Sequence, residues 1–294
     1  MSVSVGYLGP EGSFTEAAAN AVLPSHKCYP YATIQACMAA AASDEVDIAV
    51  VPLENAIEGS VNMTLDYLIH KQDIPIIGEV TVPIQQHLMV HPDNEHIWKS
   101  MNNIYSHPQA IAQCDDFITN TFSHANIHYM NSTSLAAKDI SENPDMDGVA
   151  IANALAAKKY GLKIVQHHIH DYDNNHTRFV LLSKQEQKEA LQPVRHEKEK
   201  TTLMITLPSD HSGALHQVLS AFAWRKLNLS KIESRPMKTG IGHYFFIIDV
   251  DHAMDDVLIP GVIAELEALG CGVRILGSYP CLLTETVKAK PIPE

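Results

Sequence analysis

Asp171-Tyr172-Asp173-Asn174-Asn175-His176-Thr177-Arg178-Phe179-Val180-Leu181-Leu182 sets a polar, turn-prone run directly against an apolar strand. At the junction a hydroxyl, a guanidinium and an aromatic ring stand in consecutive positions. Side chains alternate between the two faces of a strand. A regular strand would put Thr177 and Phe179 on one face and Arg178 on the other. Thr177 and Arg178 address one ligand together only if the regular strand starts after them, so the turn is expected to extend through Arg178.

Upstream of this stretch, strands and helices alternate. Ser4–Leu8 reads as a buried strand and Gly9–Gly12 as a tight turn. Ser13 with Glu16 forms a capping box that opens an Ala-rich helix to Val22. The N–H groups of such a junction offer a seat for a carboxylate or phosphate, although an ordinary βα turn reads the same way. A P-loop is excluded, because the GKS/T ending is missing. Val46–Val51 is a second buried strand. It runs into Pro52-Leu53-Glu54-Asn55-Ala56-Ile57-Glu58-Gly59, with Ser60 read as the cap of the next helix. Glu54 and Asn55 therefore stand past the C-terminal end of a strand, the edge where open α/β sheets bind ligands.

The extended run Ile74–His91 is too long for one strand and is read as a crossing to a second lobe. In that lobe Ser106-His107-Pro108-Gln109 opens a helix with Ile111, Cys114 and Ile118 as its apolar stripe and Gln113 beside it. Strand–helix repeats continue to Gly161. Asp171–Leu182 then returns to the first lobe and forms part of a hinge, beside the kind of cleft that ligands favour. This order implies mainly parallel sheets with helices on both faces.

Residues 1–184 are thus read as a two-lobed domain and the charged stretch 185–200, with Pro193, as a linker. Residues 201–280 follow the order βαββαβ of a ferredoxin-like module, and 281–294 form a tail.

The chain has 294 residues and is 46% hydrophobic, enough for a sizeable core. Its 34 acidic and 21 basic residues give a net charge of −13. That balance argues against a nucleic-acid partner and requires any anion site to be built locally. No run approaches ~18 apolar residues, so no membrane span is expected. The start of the chain lacks a signal-peptide pattern, and the five cysteines are scattered with no CxxC spacing. A cytoplasmic location with reduced thiols is the expectation. His167, His168 and His170, with Asp171, Asp173 and His176, invite a metal reading. Neighbouring strand residues face opposite ways, however, and no metal is expected.

Taken in order, Gly9-Pro10-Glu11-Gly12-Ser13-Phe14, Pro52-Leu53-Glu54-Asn55 with Gly59, Ser106-His107-Pro108-Gln109 and Asn175-His176-Thr177-Arg178-Phe179 resemble the successive motifs of the prephenate dehydratase family. Gly213-Ala214-Leu215 and Glu233-Ser234-Arg235-Pro236 resemble its C-terminal ACT module. The likeness covers residues 3–280. It implies a two-lobed α/β catalytic domain like the type II periplasmic binding proteins, followed by the ferredoxin-like ACT domain. It also implies conversion of prephenate to phenylpyruvate, water and carbon dioxide in phenylalanine biosynthesis, with no metal or organic cofactor.

The resemblance assigns roles residue by residue. It puts Thr177 at the reacting hydroxyl as donor or acid. Glu54 would relay the proton if burial raised its pKa. Arg178 would clasp the retained carboxylate in two bonds. Asn55, Ser106 and Gln113 would hold polar substrate groups, with Ser106 also readable as a helix cap. Phe179 would lie near the ring or fill core, and the turn with Gly12 and Ser13 would offer N–H groups to the second carboxylate. L-Phenylalanine would bind the module as a feedback effector at Gly213, Ala214 and Leu215, with Glu233 on its ammonium group and Ser234 and Arg235 alongside. The resemblance also implies a homodimer or homotetramer joined partly through the module. Arogenate dehydratase is the close alternative. A non-catalytic amino-acid sensor is a more distant one, disfavoured because a sensor needs no proton donor at Thr177.

Overall fold

In a computed structural model of the chain, residues 3–71, 73–185, 191, 195–209, 211–237 and 244–284 are described. The first lobe contains β1 (Ser4–Leu8), α1 (Phe14–Val22), β2 (Lys27–Tyr31), α2 (Ile34–Ala42), β3 (Ile48–Asn55), β4 (Gly59–Ser60), α3 (Asn62–His70) and β5 (Ile76–Pro83). The second lobe holds β6 (His87–Val90), β7 (Asn103–Ser106), α4 (Pro108–Ala112), α5 (Asp115–Thr121) and β8 (Asn126–Tyr129). It continues with α6 (Thr133–Glu142), β9 (Val149–Ala152), α7 (Ala154–Tyr160) and β10 (Lys163–Gln166). β11 (His176–Leu182) returns to the first lobe. The C-terminal module follows with β12 (Arg195–Thr206), α8 (Ala214–Ala223), β13 (Leu229–Pro236), β14 (Tyr244–Val250), α9 (Leu258–Ala268) and β15 (Gly272–Leu283).

Side-chain caps start four of the helices. Ser13, Thr33, Ser132 and Asn153 each accept a hydrogen bond from the N–H three residues on, at Glu16, Ala36, Leu135 and Ala156. Gly161 ends α7 in the left-handed conformation. Ser60 departs from its reading as a cap. It lies in β4, Val61 precedes α3, and the Ser60 hydroxyl donates to Glu233 at 2.6 Å.

The extended run beginning at Ile74 divides between two sheets. β5 belongs to a ten-stranded sheet ordered β13-β14-β12-β15-β5-β11-β3-β1-β2, with β4 paired to β3 off this path, and β6 to a five-stranded sheet ordered β10-β6-β9-β7-β8. The chain crosses between the lobes before β6 and again before β11. The two crossings bond to each other, Ile84 N–H to Asn175 C=O at 2.9 Å and Ile169 N–H to Gln86 C=O at 3.0 Å.

The βαββαβ order of the module is as the sequence implies, and its sheet is continuous with that of the first lobe. Cys281, Leu282 and Leu283 of β15 pair in parallel with Glu79, Val80 and Thr81 of β5. β12 opens at Arg195, inside the stretch read as a linker, and β15 runs to Leu283, past the boundary read at 280. Residues 186–190 and 192–194 of that linker, and 285–294 of the tail, lie outside the described residues.

The first-lobe sheet is buried on both faces. One face carries Val5, Tyr7, Val50, Val80, Phe179 and Leu181 beneath α1. The other carries Ala49, Val51, Val180 and Leu182, which pack with α2, α3 and with Phe245, Ile247, Leu276 and Tyr279 of the module. Each such large side chain contributes about 1.5–3 kcal/mol on burial, so the module covers core and is more than an appendage.

Candidate active site between the lobes

Sheet direction locates the cleft. β1, β2 and β3 run parallel, so their C-terminal ends share one edge, and antiparallel β11 begins on that edge. In the second lobe β7, β8 and β9 are parallel, and the helices that follow them start on their common C-terminal edge. The two edges face each other. Asn153, the cap of α7, donates through Nδ2 to the Gly12 carbonyl at 2.9 Å, and Tyr160 OH donates to the Glu11 carbonyl at 2.9 Å. Lys159 pairs with Glu16 at 2.9 Å.

A β-bulge aims the central side chains. Along β3 the partners on β11 pass from Thr177↔Asn55 and Arg178↔Glu54 to Phe179↔Pro52, which leaves Leu53 as the extra residue. A bulge of this kind re-aims the residues beyond it. Strict alternation from Val50 would have put Glu54 on the face of Phe179. With the bulge, Asn55 joins Thr177 and Glu54 joins Arg178. Asn55 Nδ2 then donates to Thr177 Oγ1 at 2.9 Å and to Asn175 Oδ1 at 2.9 Å. Asn55 Oδ1 accepts the N–H groups of Ile57 and Glu58 at 2.9 and 3.0 Å, which fixes the loop after β3. Because Thr177 Oγ1 is an acceptor here, its own hydrogen is left to donate elsewhere. Thr177 and Asn175 are buried, at 8% and 3% exposure.

Arg178 does something different from what the sequence suggests. β11 is regular from His176, so the expected turn does not extend through Arg178, and this side chain leaves on the opposite face from Thr177. Its Nη1 donates to Glu54 Oε2 at 2.7 Å, and its Nη2 to Glu79 Oε2 at 2.6 Å and Asp249 Oδ2 at 2.8 Å. The fork expected for a substrate carboxylate is filled by three protein carboxylates. The expectation for Glu54 is reversed as well. Burial pushes its carboxyl upward, but the neighbouring Lys231 and Arg178 outweigh burial and hold it below the ordinary glutamate value. Glu54 is thus held as an anion away from Thr177, not as a proton relay.

The remaining expected residues divide. Ser106 is fully buried and its hydroxyl donates to the Ile151 carbonyl at 2.7 Å, so it joins β7 to β9. The cap of α4 is its neighbour His107, whose Nδ1 accepts from Gln109 N–H. Burial lowers the His107 pKa, and the Glu58 carboxylate works against that. Gln113 ends α4, buried, and its carbonyl accepts Asp171 N–H of the second crossing at 2.8 Å. Phe179 is 2% exposed and fills core. Gly12 and Ser13 do not form the expected anion seat. Gly12 N–H is bonded by the Glu16 carboxylate, Ser13 N–H by the Pro10 carbonyl, and Ser13 Oγ donates to the Leu8 carbonyl.

In the module, Gly213 precedes α8 with φ +90°, a conformation glycine adopts freely. Ala214, the first residue of α8, is buried and Leu215 is exposed. Ser234 pairs with Phe246, whose side chain lies under α8, so Ser234 shares the helix-covered side with Gly213. Glu233 and Arg235 point the other way. Glu233 takes Ser60 and Lys231, and Arg235 takes Asn62 and Asp66 of α3. The expected effector residues therefore lie on two faces, with Glu233 and Arg235 turned to the first lobe.

The sequence reading missed Asn175 as a partner of Asn55, His107 as the cap of α4, and Asp249. A lone aspartate in the apolar strand Tyr244–Val250 was the available signal for Asp249. Among the described residues no group of three or more His, Cys, Asp or Glu side chains is arranged to hold a metal ion. No described helix is long and apolar enough to cross a membrane.

Comparison with known proteins fits this arrangement. Residues 5–187 match the family model for prephenate dehydratase, and residues 201–270 match that for the ACT domain. The chain belongs to the prephenate dehydratase family. It is 56% identical to prephenate dehydratase of Bacillus subtilis over 94% of this chain and 98% of that one. It is 33% identical to arogenate dehydratase 1 of Petunia hybrida, over 96% of this chain and 68% of that one. Among solved structures, a prephenate dehydratase from Arthrobacter aurescens in complex with L-Phe superposes with a TM-score of 0.82 at 35% identity, covering 94% of this chain and 89% of that one. Membership carries the enzyme class, a lyase with an ACT domain.

Proposed function

We propose that the chain catalyses the decarboxylating dehydration of prephenate in the cleft, with Thr177 as hydrogen-bond donor to the departing ring hydroxyl. The supporting observation is the Asn55–Thr177 bond, which occupies Oγ1 as an acceptor and leaves its hydrogen for the substrate. In the reaction the ring C–O bond breaks and the hydroxyl takes a proton to leave as water. The bond from the ring to its carboxylate breaks at the same time, carbon dioxide departs, and that electron pair completes the aromatic ring. Aromatisation supplies the driving force. The protein holds the substrate and assists the leaving oxygen, a contribution of about 10²–10⁴-fold for a positioned donor.

The test compares Thr177→Ala with the wild type in an assay of phenylpyruvate formation. A fall in turnover of about 10²–10⁴-fold with an unchanged circular dichroism spectrum is expected. Near-normal turnover would remove the assignment. The Petunia relative favours arogenate as a second substrate, so the assay is run on both.

Phenylalanine is assigned as the effector at the C-terminal module, and the L-Phe complex of the Arthrobacter relative supports it. Titration calorimetry that detects no phenylalanine binding would count against this. A homodimer or homotetramer joined partly through the module is supported by β13, which among the described residues pairs only with β14 and leaves Ile232 44% exposed. The five free cysteines fit a reducing, cytoplasmic setting.

A further inference from the structure

Adjacent positions on β11 serve two different parts of the molecule. Thr177 faces the cleft, and Arg178 faces the C-terminal module. The bulge at Leu53 interrupts the regular β3–β11 ladder at this point, while β11 stays in register with β5 on its other side, so it is the β3 side of the site that side-chain pairs tie to β11. There is one pair for each face, Asn55 with Thr177 toward the cleft and Glu54 with Arg178 toward the module.

The module supplies what holds the second pair. Asp249, with a side chain 1% exposed, accepts Arg178 Nη2 at 2.8 Å through Oδ2 and Thr202 Oγ1 at 2.7 Å through Oδ1. Thr202 in turn meets the buried Tyr279 hydroxyl at 2.7 Å, so the aspartate cannot swing away. Lys200 binds both oxygens of Glu79 at 3.0 Å, and Glu79 also accepts from Arg178. Lys231 bonds Glu54 Oε1 at 2.9 Å and the Ser60 hydroxyl at 2.7 Å. The cations and carboxylates alternate, which keeps each buried charge compensated. A buried charge left without its partner is strongly unfavourable, so the strands settle where these pairs close.

We propose that Asp249 and Lys231, both of the C-terminal module, are positioning residues for the dehydration. They hold Arg178 and Glu54, and through these the backbone that sets Thr177 against Asn55. This rests on the reading of Thr177 as the donor at the cleft. Displacing a reacting group by about 1 Å costs on the order of 10²-fold in rate, so the effect belongs in kcat.

The test is steady-state kinetics on prephenate with the full chain as wild type, Asp249→Asn, Lys231→Met, Lys231→Arg and Thr177→Ala, each with a thermal melt. Asp249→Asn and Lys231→Met are expected to lower kcat by about 10- to 100-fold with KM nearly unchanged, and Lys231→Arg to restore most of it. A merely stabilising role would lower the melting temperature and leave kcat at the wild-type value, and that result would overturn the proposal. Should Asp249→Asn fail to fold, the comparison of Lys231→Met with Lys231→Arg decides alone. If Thr177→Ala keeps full turnover, the reading of the cleft itself fails. If Thr177→Ala is inactive while Lys231→Met is normal, only the positioning role falls.

Discussion

Thr177 and Arg178 show how far two adjacent side chains can differ in purpose. One hydroxyl accepts from Asn55 and keeps its hydrogen for the cleft, while the next residue spends its guanidinium on Glu54, Glu79 and Asp249. The same contrast between appearance and use holds for the histidines near the hinge. His87 is 3% exposed, and its Nδ1 accepts His168 N–H at 3.1 Å. Burial, and then the nearby His168, His167 and His170, push its pKa down to about 4. An unfolded histidine titrates near ~6.5. Below that pH the unfolded chain takes up a proton that the native state refuses. His87 therefore costs stability as the pH falls from about 6.5 to about 4, and contributes no pH dependence above that window. The expected loss between pH 7.5 and 4.5 is on the order of 1–3 kcal/mol, read from urea midpoints, and His87→Gln should remove it while keeping an acceptor for His168 N–H. An unchanged slope in that variant would assign the loss to other groups.

At the scale of elements, the pairing of α1 with α7 decides how the lobes meet. Gly12 lies at φ +78°, and a β-carbon there would stand 3.1 Å from the Ala156 backbone and 3.3 Å from its methyl group. Gly12→Ala would strain its own backbone and push α7 away, also loosening Asn153 from the Gly12 carbonyl. A loss of about 1–2 kcal/mol from the backbone conformation alone is expected, with KM rising more than kcat falls. Denaturant unfolding together with prephenate kinetics checks this, and a variant with wild-type stability and KM would show that the lobes do not need this contact. The capping of α1 was legible in the sequence, since Ser13 needs only local backbone to act, and so was the end of α7 at Gly161. Their meeting was not, because Gly12 and Ala156 are joined by the folding of two lobes and leave no trace in local pattern.

Over the whole molecule, the C-terminal module is built into the core. β15 covers the edge of β5, and Phe245, Ile247 and Tyr279 seal the face that carries Val51 and Val180. Ending the chain at residue 194 is therefore expected to expose that face, with dye binding to apolar surface and self-association in size-exclusion chromatography. A monomeric, folded fragment that binds no dye would refute this dependence. The sequence by itself determined most of the elements, though not β2 or β4, together with the two lobes, the ferredoxin-like module and the position of Thr177 at a strand edge. Those features follow from caps, periodicity and turn residues that act over a few positions, and the family motifs added their order. Only the tertiary structure decided the partners of Glu54, Arg178 and Ser106. One extra residue in β3, Leu53, sets which face Glu54 and Asn55 occupy, and strict alternation would have given the opposite answer. The carboxylate that Arg178 meets from the module, Asp249, lies 71 residues away in the chain, a distance only the docking of the module onto the first-lobe sheet closes.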